Sequence, residues 1–113
     1  MLKLPIVNKL SDAVRVVIDS NRNDGYTPSR FIQVTEDGEA QDLHAICEKL
    51  IVKGETLEYL EKALLKYPTL LLTLEDFIVR FGPTWGFSNE AVEAARARVV
   101  FFDRLAGGQR YQA

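Results

Sequence analysis

The chain has 113 residues with a formal net charge of −2 and is 47% hydrophobic and 27% charged. That is the length of one domain and an ordinary globular composition, neither disordered nor fibrous. The acidic balance disfavours a general DNA-binding module. A single Cys and a single His rule out an internal disulfide and a Cys-rich zinc site, and no run of 18 apolar residues offers a membrane span.

Between Gly and Pro punctuation the apolar period is helical. Ile6, Leu10, Ala13, Val14, Val17 and Ile18 recur at three- and four-residue steps, which predicts a helix from about Pro5 to Asn23, ended by Asp24-Gly25. Thr27-Pro28 opens the next element, which carries Phe31, Ile32 and Val34 and ends at Gly38. A strand over Phe31–Thr35 is the competing reading. From about Glu39 to Lys53, the residues Leu43, Ile46, Cys47, Leu50 and Ile51 form a third stripe that stops at Gly54.

Thr56 caps a short helix bearing Leu57, Leu60, Leu64 and Tyr67, halted by Pro68. Thr73-Leu74-Glu75-Asp76 resembles a capping box with Asp in place of the usual Glu, so Leu74 to Phe81 reads as a helix. The loop Gly82–Phe87 cannot continue it. Ser88 caps the last helix, with Val92, Ala95, Val99, Phe102 and Leu105 on one face, and Gly107-Gly108 closes it. The expected fold is therefore all-α: a single compact domain of five or six short helices over residues 1–113, with an ordered core of about 5–106 and a frayed tail at 109–113.

Few side chains suggest chemistry. His44 and Cys47 stand three apart on one helix face, but no further His or Cys completes a metal site. Cys47 lies on the apolar stripe, which predicts a buried, inert thiol. The acids Glu36, Asp37, Glu39 and Asp42 around Gly38 lack calcium-loop spacing and read as a solvated face with helix N-terminal acids. No Gly-rich phosphate loop is present. Neither a catalytic residue nor a cofactor or metal site is assigned, and the chain reads as a non-enzyme.

Charge distribution bears on partners. Residues 36–61 hold eight acids against Lys49 and Lys53, a segment that repels phosphate, whereas the chain ends are mildly basic. Arg96 and Arg104 differ by about 80° around a helix and Arg98 by about 200° from Arg96, so they form no tight stripe. Trp85 sits in a Gly-Pro loop with Phe87, either as an anchor for a partner or folded back as a core plug. Phe101 and Phe102 are adjacent, so their directions diverge by about 100° and one helix face cannot hide both. Trp85, Phe87 and Phe101 are the candidate partner-binding residues.

Gly25-Tyr26-Thr27-Pro28, then Phe31 and Gln33, then Leu72-Thr73-Leu74-Glu75 and the Ala- and Arg-rich stretch from Glu90 through Leu105 carry a family resemblance. The chain resembles, over about residues 20–105, a small uncharacterised family of bacterial helical domains with a Tyr-x-Pro-x-x-Phe opening and a Leu-Thr-Leu-Glu segment. It departs from that pattern in its Gly-Pro-Thr-Trp loop. The resemblance implies an accessory role beside larger proteins and transfers no catalytic residue.

The reading from residues is a non-enzymatic protein–protein interaction or accessory module with a protein partner or a homodimer. The alternative is a nucleic-acid accessory protein using Arg15, Arg22 and Arg30 with the C-terminal arginines. The opening Met1-Leu2-Lys3-Leu4-Pro5 shows no secretion signal, so a cytoplasmic location is expected.

Overall fold

A computed structural model describes residues 3–37, 42–66, 71–108 and 110. Six helices follow in order: α1 (Leu10–Asn23), α2 (Ser29–Asp37), α3 (Leu43–Lys53), α4 (Leu57–Lys66), α5 (Leu74–Phe81) and α6 (Asn89–Leu105). No strand occurs among the described residues. The all-α expectation holds, and Phe31–Thr35 lies inside α2. Within α2 the Thr35 hydroxyl donates back to the Phe31 carbonyl at 2.8 Å, so this β-branched residue is absorbed by the helix.

Helix ends follow local chemistry. Thr73 caps α5 with the full capping box: its Oγ1 accepts from the Asp76 N–H at 3.3 Å, and its own N–H donates to Asp76 Oδ2 at 2.9 Å. Ser88 caps α6 through the Ala91 N–H, and Asp42 caps α3 through the His44 N–H. Gly54, in left-handed conformation at φ 66°, ends α3. The first helix is shorter than its periodicity suggested. It starts at Leu10 after extended Lys9, and Ile6 is left exposed, so Pro5 opens no helix. Gly38 and Glu39, read as a helix stop and start, and Tyr67-Pro68 lie outside the described residues.

α5 and α6 form the centre. They pack on each other, with α3 and α4 also against α6 and α1 against α5. Gly82 permits that approach, because a Cβ there would lie 3.0 Å from Val92 Cγ2 and 3.1 Å from Ile78 Cγ2. One core cluster joins Val14, Cys47, Ile51, Ile78, Phe87 and Val92; a second joins Ala13, Val17, Leu72 and Phe77; a third joins Ala63, Leu64, Leu71 and Phe102. Buried Asn21 donates from Nδ2 to the Leu72 carbonyl at 2.8 Å, fastening α1 to the segment before α5. The Cα radius of gyration, 13.0 Å, equals the roughly 13 Å of one compact domain of this length.

The tail expectation needs correction at one residue. Arg110, inside the stretch expected to fray, is 0% exposed. Its backbone N–H donates to Asp103 Oδ1 at 3.0 Å and its guanidinium enters the core, so ion pairing holds a position where apolar periodicity had already ended.

Candidate functional site

The three residues nominated as a partner surface do not form one. Trp85 is half-buried, packs against two core clusters and stacks on Phe81 with centroids 5.1 Å apart. Phe87 is only 6% exposed and stacks on His44 at 4.4 Å, so its nomination is corrected: it is a core side chain. Gly86, at φ 80°, turns the chain between the two rings. Phe101 is exposed, but it lies thirteen residues along α6 from Ser88, about 20 Å of helix away from the loop.

Phe101 has different neighbours. Phe101 is 39% and Val100 is 51% exposed. With exposed Ala97 and Arg104 they occupy positions i, i+3, i+4 and i+7, one outward stripe along the second half of α6. Phe102, one step round the helix, is fully buried in the third cluster. The adjacent phenylalanines therefore divide, one to the core and one to the surface.

Beneath α6 lie two buried ion pairs that the sequence pattern did not single out. Glu75 and Arg98 approach to 3.8 Å with side-chain exposures of 9% and 14%. Burial raises the Glu75 carboxyl from its ordinary 4.5 to about 7, against the smaller opposing effects of a backbone hydrogen bond and the Arg98 charge. Asp76 and Arg110 form a two-pronged pair, Nη1 to Oδ1 at 3.1 Å and Nη2 to Oδ2 at 2.6 Å. Nη2 also donates to the Leu71 carbonyl at 2.7 Å, and the guanidinium carbon lies 5.6 Å from the Phe102 ring centroid. The one available signal was two successive acids amid the apolar residues 71–78; nothing near Arg110 announced its partner.

A carboxyl titrating near neutrality is a candidate acid or base, so the space beside Glu75 matters. It lines a cavity of about 40 Å³ walled by Val17, Phe31, Ile51, Leu60 and Leu74, with Tyr26 and Tyr59 also on the lining. That holds a few waters at most and is far below an organic substrate's several hundred Å³. A wider groove of about 500 Å³ shares Tyr26, Arg30 and Tyr59 with it and adds Lys62 and Lys66. Lys62 is paired with Glu58 at 3.3 Å and Arg30 donates to Gln33 at 3.1 Å, so these two cations of the groove are already engaged.

Cys47 is fully buried and its thiol is pushed up to about 12 by desolvation. Glu48 accepts the Ser88 N–H at 2.8 Å, which lowers its carboxyl below the usual range. The described residues contain no group of three or more His, Cys, Asp or Glu placed to hold a metal ion. Among them, no helix is long and apolar enough to cross a membrane. Arg98, counted with the dispersed arginines, points inward to Glu75 and leaves that set. No protein-family model matches the chain, and neither a curated protein nor a solved structure does.

Proposed function

We propose that this protein is a non-enzymatic interaction module whose contact surface is the outward stripe of α6. The observation that carries the reading is the exposure of Val100 and Phe101 side by side on a helix whose opposite face is fully packed. A large aromatic left at the surface within an apolar helical stripe is the usual anchor of a helix-mediated contact. The second support is chemical: Glu75, whose carboxyl burial pushes up to about 7, lines a chamber too small for a substrate. The contact is placed on α6 rather than on the Trp85 loop, because the loop's aromatics are engaged inside the fold.

Phe101→Asp tests this. It puts a charge on the stripe at a ring whose centroid lies 6.4 Å from that of buried Phe102, so folding is checked alongside. Self-association is read by sedimentation equilibrium, and association with other proteins by capture from native lysate. The variant is expected to keep the wild-type circular dichroism while losing the association the wild type shows. Unchanged association in the variant, or none in either protein, refutes the assignment.

A further inference from the structure

Ahead of α1, residues 3–9 lie on the fold without joining a helix. Pro5 fixes its own φ and disfavours helical backbone at Leu4, so the sequence itself biases this stretch toward extended structure. Leu4 and Val7 are half-buried, whereas Pro5 and Ile6 face solvent, Ile6 at 85% exposure. Inward residues three apart match the period of a polyproline II turn, a conformation with no internal hydrogen bonds. Among the described residues, none of 3–8 takes part in a hydrogen bond or an ion pair.

The seat under this strap belongs to the rest of the fold. Leu4 and Val7 pack against the cluster of Ala13, Val17, Leu72 and Phe77, and so do Phe81 and Trp85. The Phe81 and Trp85 rings stack at 5.1 Å, and Asn21 ties α1 to the Leu72 carbonyl at 2.8 Å. Neither link uses the strap. An apolar floor beside an aromatic stack is thus assembled by α1, α5 and the segments flanking α5. Two half-buried aliphatic side chains must offset the ordering of the whole strap, which places it at the low-stability end of the fold.

We infer that this seat is a recognition site for proline-containing extended segments with apolar residues three apart, held closed by the chain's own residues 3–9. The structure shows what the seat takes, because Leu4 and Val7, on either side of Pro5 and Ile6, occupy it in cis. Aromatic-lined grooves suit such segments: proline has already restricted the peptide backbone, so little conformational freedom is lost on docking. A partner segment of the same pattern displaces the strap and inherits its contacts. No residue of α6 belongs to this cluster, so the inference stands independently of the contact proposed above.

Trp85 is the only tryptophan and packs on this cluster, so its emission reports the seat. Leu4→Asp with Val7→Asp, made in the whole chain, expels the strap. The variant's emission is expected to shift to the red of wild type, with helical circular dichroism retained. A synthetic peptide of residues 3–9 added in trans is expected to reverse the shift saturably. Wild type is expected to bind that peptide at least about tenfold more weakly, because its tethered strap competes for the seat. Pro5→Ala in the peptide should weaken binding about two- to fivefold, and a peptide with Asp at both apolar positions should not bind. If the Asp pair unfolds the chain, Leu4→Ala with Val7→Ala makes the same comparison without added charge. Loss of helical signal in both variants makes the strap part of the core and overturns the inference. So does an unshifted emission, a shift that the peptide does not reverse, or binding of equal strength by wild type or by the Asp-bearing peptide.

Discussion

Replacing Glu75 with Gln should change how stability depends on pH. The carboxyl titrates near its ordinary 4.5 when unfolded and at about 7 when folded, burial being the main cause. A raised folded value means that the native state binds the extra proton. The group's favourable contribution is complete below about pH 4.5 and is lost as pH rises through about 7. A shift of that size corresponds to about 3 kcal/mol in total, of which roughly 2–3 kcal/mol falls between pH 5 and pH 8. Gln keeps the shape and cannot ionise. The difference in unfolding free energy, wild type minus Glu75→Gln, measured by urea denaturation, should therefore fall by that amount from pH 5 to pH 8. Because Arg98 loses its partner in the variant, the absolute offset between the two proteins carries no prediction; the slope does. A pH-independent difference, or one that grows toward pH 8, would mean that the carboxyl is solvated and that the buried pair is described wrongly.

Trp85→Ala should destabilise the fold by about 2–3 kcal/mol, less than the 3–5 kcal/mol of a fully buried aromatic, since the ring is half-buried against Phe81. Self-association at a denaturant-free reference should not change, and weakened association in a stably folded variant would restore the loop as a contact surface. Cys47, with its thiol near 12 and no exposure, should react with a disulfide reagent at pH 8 only through opening of the fold. Its modification rate should then follow added denaturant, and prompt labelling of the native protein would contradict the burial.

Local rules made most of the helices readable. The capping box at Thr73–Asp76 and the Ser88 cap act within one turn, so the residues themselves specify them. Periodicity overreached at Ile6, where the stripe continues but nothing packs on it and the helix begins only at Leu10. Phe31–Thr35 suited strand and helix alike by propensity, and packing of α2 on α3 sets it as helix. The three nominated aromatics show the limit of reading by type. Each is large and apolar, and only the folded chain sends Phe87 inward while leaving Phe101 at the surface.

What the sequence alone determined is the helical plan, the Thr73 and Ser88 caps and the burial of Cys47, because these depend on neighbours within a turn or two. The pairing of Asp76 with Arg110, 34 residues apart, and of Glu75 with Arg98 was decided by the tertiary structure. A charge carries no periodic mark of its distant partner. Its partner is set by which charges share a buried volume once α5 and α6 have packed, and that volume exists only in the folded chain.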